Sequence, residues 1–199
     1  MRRIDHERVR PLNDVEIKSV LGSFEGPYAN RDKALFLLGI KSGFRISELL
    51  SLRAGNILHS GRIVDRVTVA RRHMKKKTEG RTVLLHPEAK AALVEWLGEL
   101  GKVQPVECET YVFLSRKGDN KPVSRIHAWR VLHDVFQRKD LEGKLGTHSM
   151  RKTFASKVYE ALGFDLVKTQ KALGHKNINS TAQYLSFREE EIDQAILAI

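Results

Sequence analysis

The stretch GTHSMRKTF, residues 146–154, places two kinds of side chain at what its spacing predicts to be the start of a helix. His148 and Arg151 stand three residues apart, so they share one helical face. Met150 and Phe154 lie on a neighbouring face and are able to hold the helix in an apolar core. A helix N terminus also presents N–H groups and the positive end of the helix dipole. The stretch predicts an anion site, most simply for a phosphate, with an ordinary surface pair as the alternative.

A second arginine stands in an unusual place in SGFRISELLSL, residues 42–52. Arg45 follows Gly43 closely and precedes a short apolar helix, for which Ser47 is the predicted N-cap. A fixed guanidinium there offers a bidentate fork to phosphate oxygens. Glu48, one turn further on, is placed to orient that guanidinium through a salt bridge. The alternative is a purely structural Arg–Glu pair.

The third stretch that carries candidate functional residues is ALGHKNINSTAQYLSF, residues 172–187. His175 follows a glycine in a predicted turn between two helices, and Tyr184 comes nine residues later. Tyr184 falls in the first turns of a helix that Asn179 or Ser180 is predicted to cap. Taken singly, such a histidine reads as a helix C-cap residue and such a tyrosine as a core or rim residue.

The overall charge indicates a polyanionic partner. The chain has 199 residues, of which 35 are Lys or Arg and 24 are Asp or Glu, so its formal net charge is +11 and its sequence pI about 9.9. Nucleic acid is the commonest partner for such a protein. A hydrophobic content of 41% supports a real core and argues against wholesale disorder.

Cysteine, histidine and hydropathy patterns exclude several other classes. Cys108 is the single cysteine, so an internal disulfide and a cysteine-based zinc site are both impossible. The eight histidines show no HxxxH or HExxH spacing, so no metal and no cofactor is expected. No apolar run approaches the roughly 20 residues that cross a bilayer, and MRRIDHERVR lacks the apolar segment of a secretory signal. A cytoplasmic protein that uses no membrane is therefore expected.

Hydrophobic periodicity predicts one α+β domain that is mostly α-helical and carries a small antiparallel β-sheet. Two strands are predicted at 63–72 and 81–85, joined by a hairpin turn at 73–80, and 111–115 reads as a short strand or extended segment. In the helix that Ser124 is predicted to cap, the predicted inner face consists of Ile126, Trp129, Leu132 and Phe136. The other helices are predicted from an N-cap at Asn13 or Asp14 to Gly22, over 30–43 with Gly43 as the stop, from Pro87 with the stripe Ala89, Leu93, Trp96, Leu97 and Leu100, from an N-cap at Thr147 to about Leu162, and from an N-cap at Asp165 to Gly174.

The order of these features resembles the tyrosine recombinases, the phage integrase family. SGFRISELLSL is similar to the first arginine box of that family, THSMRKTFAS to its HxxR box, and ALGHKNINSTAQYL to its GH…Y box. A lysine of the turn around 75–77 stands between the first two boxes, as the family's order requires. The resemblance covers about residues 12–187 and implies the catalytic-domain fold of that family.

The resemblance also implies a role for each matching residue. Tyr184 is implied as the nucleophile that attacks a DNA phosphodiester, which leaves a 3′-phosphotyrosyl enzyme and a free 5′-hydroxyl. Arg45 and Arg151 are implied to clamp the non-bridging oxygens. His148 and His175 are implied to hydrogen-bond the phosphoryl group, with His148 the better candidate for helping to remove the tyrosine proton.

A hairpin lysine is implied to protonate the leaving 5′-oxygen. The sequence KTEG favours Lys77 for this role, because the family's lysine is often followed by a small polar residue or glycine. Lys75 and Lys76, with Arg71 and Arg72, are then expected to contact DNA phosphates. The alternative is that all three lysines only bind phosphates.

The expected domain organisation is a basic N-terminal arm at 1–12, a catalytic domain at 13–187 and a C-terminal helix or tail at 188–199. Most family members carry an additional N-terminal helical domain that closes around DNA. Its absence here indicates either an excised fragment or a naturally short recombinase, similar in layout to the fimbrial-switch invertases. The tail is expected to pack either on a neighbouring protomer or on its own domain.

The function implied is site-specific DNA recombination, by integration, excision or inversion, through the covalent tyrosine. Double-stranded DNA is the implied partner, bound by a homotetramer on paired sites, with possible accessory DNA-bending proteins and a nucleoid-associated location. One alternative is a helix-turn-helix regulator without catalysis, with residues 177–187 as its recognition helix. Another is a related type IB topoisomerase-like activity.

Overall fold

Helices dominate the computed structural model, which describes residues 9–69, 80–185 and 196–198. The chain forms two compact units, Met1–Phe154 and Ala155–Ile199. None of the helices in the described ranges has both the length and the hydropathy needed to cross a membrane. The elements of these ranges are, in chain order, α1 (Asp14–Leu21), α2 (Ala29–Ser42), α3 (Ile46–Leu50), α4 (Ala54–Ile57), β1 (Leu58–His59), β2 (Arg62–Ile63), β3 (Arg66–Val69), β4 (Arg81–Leu84), α5 (Pro87–Val103), α6 (Arg125–Arg138), α7 (Thr147–Ala161), α8 (Leu166–Leu173) and α9 (Ile178–Ala182).

The β-structure of the first unit consists of two separate antiparallel pairs. In one pair β1 lies beside β2, and in the other β3 lies beside β4 with Val69 opposite Arg81. The mostly helical α+β prediction is confirmed, but the predicted strand at 63–72 is divided, because Ile63 pairs with β1 and Arg66–Val69 pair with β4. Its last three positions, 70–72, lie outside the described residues. The segment 111–115 is not a continuous strand: Tyr111 and Leu114 each form an isolated bridge, and the two residues between them form a turn. The predicted hairpin turn at 73–80 lies outside the described residues except for its last glycine.

The core of the first unit is centred on α2 and α5. Most of α2 is buried, which matches its nearly continuous run of apolar residues. The predicted stripe of α5 is confirmed in full, since all five of its side chains are buried. The indole Nε1–H of Trp96 also donates to the carbonyl oxygen of Val112 at 2.6 Å, which satisfies the polar atom of an otherwise apolar side chain.

The inner face of α6 differs from the prediction. Ser124 caps the helix as expected, by accepting from the His127 N–H at 3.1 Å. However, Ile126 is 65% exposed and Trp129 is 44% exposed. Trp129 stacks on His133, with ring centroids 4.6 Å apart, which shelters part of the indole without burying it. The buried positions follow i, i+4, i+7 and i+8 and are Ala128, Leu132, Val135 and Phe136.

The end of the predicted N-terminal arm is attached to the first unit. Arg10 donates its backbone N–H to the Lys144 carbonyl at 3.1 Å and pairs with Glu16 at 2.6 Å. Leu12 is buried, and its N–H donates to the Thr153 hydroxyl on α7 at 2.8 Å. The remainder of the arm, residues 1–8, lies outside the described residues, as does the tail apart from 196–198.

Gly39 in α2 and Gly43 directly after it allow the beginning of α7 to approach closely. A Cβ on Gly39 would lie 2.5 Å from the Met150 sulfur, and a Cβ on Gly43 would lie 2.3 Å from Cδ1 of Phe154. Gly43 also ends α2 in the left-handed conformation, with φ of 60°. The prediction that Gly43 stops this helix is confirmed, and the close approach explains how Met150 and Phe154 hold α7 in place.

Replacing Gly43 with alanine should lower the free energy of unfolding by at least about 2 kcal/mol, because left-handed strain and steric overlap with Phe154 act together. Urea denaturation of the variant and wild type measures this loss. Gly98→Ala is the matched control, since a Cβ there has no atom within 4 Å and the helix interior favours alanine. A Gly43→Ala variant as stable as the control would contradict the close approach.

Candidate active site

The two predicted anion-binding side chains on α7 differ in how far they are buried. Arg151 is only 1% exposed, and its Nη1 donates to the carbonyl oxygen of Gly43. His148, one turn earlier, is exposed. The predicted N-cap, Thr147, is instead the first helical residue, and the turn before it is closed by the Ser149 hydroxyl, which accepts from the Gly146 N–H at 3.1 Å. The pair therefore consists of an anchored arginine and an accessible imidazole.

Arg45 is oriented by Glu48 in two ways. The Glu48 carboxylate accepts from the Arg45 backbone N–H at 2.6 Å and from its guanidinium Nη1 at 3.1 Å. The predicted salt bridge is therefore confirmed, with the Glu48 side chain 10% exposed and that of Arg45 38% exposed. The predicted N-cap at Ser47 is wrong, because α3 begins at Ile46 and Arg45 itself is the N-cap residue. A guanidinium held in this way faces solvent with its direction already set.

The electrostatics of His148 bring the two arginines and the imidazole into one group. His148 is exposed overall, yet partial desolvation of its ring is the largest cause that lowers its pKa below the ordinary value of 6.5. The positive charges of Arg151, Arg45 and Lys152 lower this pKa further. The imidazole is therefore neutral at physiological pH, a state in which it is able to accept a proton.

The carbonyl end of α2 is bound by a second buried arginine, which the sequence did not single out. Arg81, at the start of β4, donates from Nη1 to the Gly43 carbonyl at 3.1 Å and from Nη2 to the Ser42 carbonyl at 2.7 Å. Its guanidinium also lies over the rings of Phe44 and Phe154, at 5.3 and 5.8 Å from their centroids. Positive charge at a helix C terminus is stabilising. Arg81 thus holds the turn that leads into Arg45.

In the second unit, His175 and Tyr184 are held close together. His175 follows Gly174, which ends α8 with φ of 63°. The His175 Nδ1 lies 2.9 Å from the Thr181 hydroxyl, and the ring centroids of His175 and Tyr184 are 5.1 Å apart. Both rings are half-buried. The imidazole and the phenol thus lie side by side in this unit.

The helix that was expected to carry Tyr184 is shorter than predicted. Asn177 caps it, two residues before the earlier of the two predicted caps, by accepting from the Asn179 N–H at 2.9 Å. The helix α9 ends at Ala182, and Tyr184 lies in the turn that follows. The backbone N–H of Tyr184 donates to the Thr181 carbonyl at 2.9 Å. The alternative recognition helix at 177–187 is thereby reduced to a five-residue helix.

The basic residues of the predicted hairpin, Arg71, Arg72, Lys75, Lys76 and Lys77, lie outside the described residues. Within the part of the chain that the structure describes, no group of three or more His, Cys, Asp or Glu side chains is arranged to hold a metal ion. The described groups therefore offer guanidinium donors, a neutral imidazole and a phenol.

Comparison with known proteins identifies the family. The family model described as "Phage integrase family" matches residues 2–191. The tyrosine recombinase XerC of Caldanaerobacter subterraneus subsp. tengcongensis is 29% identical over 185 residues, which cover 91% of this chain and 48% of that protein. The type 1 fimbriae regulatory protein FimB of Escherichia coli K12 is 30% identical over 183 residues, which cover 92% of this chain and 86% of FimB.

The fold is shared with solved recombinase structures. The XerH site-specific recombinase bound to palindromic difH substrate, in a post-cleavage complex, superposes with a TM-score of 0.72 at 24% identity. The match covers 94% of this chain and 51% of that one. The chain therefore spans about half the length of the XerC and XerH proteins that it matches. The resemblance found in the three sequence boxes is confirmed, and the chain belongs to the phage integrase family, the tyrosine recombinases.

Proposed function

We propose that this chain cleaves and rejoins DNA strands in site-specific recombination, with Tyr184 as the nucleophile. The observation that carries the proposal is that Arg45 is held by Glu48 and Arg151 by the Gly43 carbonyl, with the accessible imidazole of His148 one turn before Arg151 on α7. Both arginines also lower the pKa of that imidazole. Membership of the phage integrase family supports the same chemistry. The short α9 disfavours a helix-turn-helix regulator, since a recognition helix in the major groove needs a longer surface.

In the proposed cleavage step, the Tyr184 oxygen attacks the phosphorus and the bond from phosphorus to the 5′-oxygen breaks. The phenolic proton passes to His148, which is neutral and accessible, and Lys77 supplies a proton to the leaving 5′-oxygen. A phenol with a pKa of ~10 needs such a base to react at neutral pH. The product is a 3′-phosphotyrosine, and the reverse reaction with a new 5′-hydroxyl rejoins the strand.

The two arginines stabilise the charge that develops on the phosphoryl oxygens. Phosphoryl transfer concentrates negative charge on equatorial oxygens, where fixed donors are most effective. Arg151 is preorganised by the Gly43 carbonyl and Arg45 by Glu48. His175 donates a further hydrogen bond to the phosphoryl group. These side chains therefore do not need to change rotamer when the substrate binds.

The proposed substrate is double-stranded DNA, bound by a homotetramer on paired sites at the nucleoid, with DNA-bending proteins as accessory factors. The net charge of +11 favours contact with many phosphates, among them contacts from Lys75, Lys76, Arg71 and Arg72. Counterion release then makes affinity fall steeply as salt rises. The outcome of recombination is integration, excision or inversion, according to the arrangement of the two sites.

Covalent capture tests the proposed function. The protein is incubated with sheared genomic DNA of its source in EDTA and denatured with SDS, and the DNA that remains attached to protein is sequenced. Reads that converge on one site are expected. If no adduct forms, the capture is repeated with a DNA-clamping domain fused to the N terminus. Failure of both proteins to form an adduct would contradict the proposal.

The pH dependence of cleavage should reflect the lowered pKa of His148. Because the neutral imidazole is the active form, the cleavage rate should stay level from neutral pH down to about 6.5 and fall only below that value. Single-turnover cleavage of the captured site across this range provides the measurement. His148→Gln should remove this fall in the cleavage rate at low pH, whereas His59→Gln on β1 should keep it. A fall with its midpoint above pH 6.5 would contradict the role of His148.

A further inference from the structure

Thr181 is a buried residue of the second unit that contacts both His175 and Tyr184. It has no exposed surface, although its side chain carries a hydroxyl. That hydroxyl lies 2.9 Å from Nδ1 of His175, and the Thr181 carbonyl accepts the Tyr184 N–H at 2.9 Å. Thr181 therefore contacts the imidazole of His175 through its hydroxyl and the backbone of Tyr184 through its carbonyl.

The burial of Thr181 determines the direction of its hydrogen bond to His175. Within the part of the chain that the structure describes, Nδ1 of His175 is the one hydrogen-bond partner of the Thr181 hydroxyl. A buried O–H group without an acceptor costs about 1–3 kcal/mol, whereas an unused lone pair on the same oxygen costs less. The hydroxyl therefore donates its proton to Nδ1. A neutral imidazole that accepts at Nδ1 carries its own proton on Nε2.

We propose that Thr181 is a positioning residue that fixes the tautomer of His175 and so makes Nε2–H a hydrogen-bond donor. The inference rests on the proposed function, in which His175 donates to the phosphoryl group. Phosphoryl oxygens only accept hydrogen bonds, so the opposite tautomer would direct a lone pair at a negatively charged oxygen. Thr181 thus supplies the correct protonation pattern without touching DNA.

The tautomer is measured directly by nitrogen NMR of the histidine side chains in the full chain without DNA, above the pH at which the imidazoles are protonated. His175→Gln assigns the signal. In the wild type we expect the proton of His175 on Nε2. In Thr181→Val, which keeps the side-chain shape and the backbone carbonyl, we expect a mixture of tautomers, and in Thr181→Ser the wild-type tautomer.

Thr169 provides a matched control within the same unit. It too is fully buried, but its hydroxyl donates to the Asp165 carbonyl at 2.7 Å. Thr169→Val should leave the tautomer of His175 unchanged. Cleavage of captured DNA should fall about 10- to 100-fold in Thr181→Val, by analogy with the loss seen when the hydrogen-bond partner that orients a metal-ligating histidine is removed. Thr181→Ser should recover most of the rate.

Two results would overturn the inference: a wild-type proton on Nδ1, or a Thr181→Val tautomer identical to that of the wild type. Either result concerns the hydrogen bond alone. If the tautomers behave as expected but the wild type forms no covalent DNA adduct, the proposed function fails while the role of Thr181 in orienting the imidazole stands. The two failures are therefore distinguishable.

Discussion

Replacing Tyr184 with phenylalanine should lower covalent DNA capture by at least about 10⁴-fold, since removal of a nucleophile leaves only binding and electrostatic effects. The change deletes one oxygen and keeps the aromatic ring that contacts His175. DNA affinity should stay within a few fold, because affinity depends mainly on phosphate neutralisation. Adduct yield on SDS gels and an equilibrium binding assay at fixed salt measure the two effects separately.

Tyr28→Phe is the matched control for this substitution. The Tyr28 ring packs edge-on against Trp96, with the two centroids 6.5 Å apart, a contact that phenylalanine preserves. Adduct yield should therefore equal that of the wild type. If Tyr184→Phe still forms the adduct at a comparable yield, another group is the nucleophile and the assignment to Tyr184 is wrong.

Replacing Arg151 with lysine should slow cleavage by about 10²–10³-fold, the loss typical of removing one transition-state donor. Arginine presents five N–H donors in a rigid fork, so it can hold the Gly43 carbonyl and bind a phosphate oxygen at once. Lysine keeps the positive charge but lacks that geometry. Single-turnover cleavage of the captured DNA site measures the change, and DNA affinity is expected to vary only a few fold.

The control is Arg138→Lys. Arg138 lies on α6 and forms an exposed ion pair with Glu25 at 2.9 Å, a kind of contact that contributes little. Cleavage by this variant should match the wild type. A cleavage rate in Arg151→Lys above half that of the wild type would show that the fork geometry is not needed.

The helix ends that local chemistry specifies were predicted well from the sequence. Asn13 and Asp165 cap α1 and α8 as expected, since each has a short acceptor side chain directly before an amphipathic segment. Ser47 and Thr147 failed as caps because both already lie inside helices. A serine or threonine fits the first helical turn as well as the cap, so residue type alone does not separate these positions.

Burial of charged side chains was the main feature that the sequence did not reveal. Patterning assigns arginine to the surface, so neither the buried Arg81 nor the depth of Arg151 is visible in the sequence. Both arginines are buried because they bind the carbonyl end of α2, a tertiary contact between segments far apart in the chain. The positions of Arg45 and His148, by contrast, follow from short local motifs.

The same distinction explains the errors in α6 and α9. In α6, two overlapping apolar stripes compete, and packing against the core selects the one that contains Ala128 while leaving Ile126 exposed. In α9, Asn177 caps the N terminus before either predicted cap, and the helix ends at Ala182, before Tyr184. Where the sequence allows two equally plausible apolar faces or helix caps, tertiary contacts decide between them, and hydrophobic periodicity carries no information about those contacts.

Mass spectrometry of the trapped complex is the decisive test of the proposed chemistry. The covalent adduct is trimmed with nucleases, digested with protease and sequenced as a modified peptide. The account predicts a nucleotide joined through its 3′-phosphate to the Tyr184 oxygen, and a free 5′-hydroxyl on the released strand. A nucleotide attached to any other side chain, or a link through a 5′-phosphate, would contradict it.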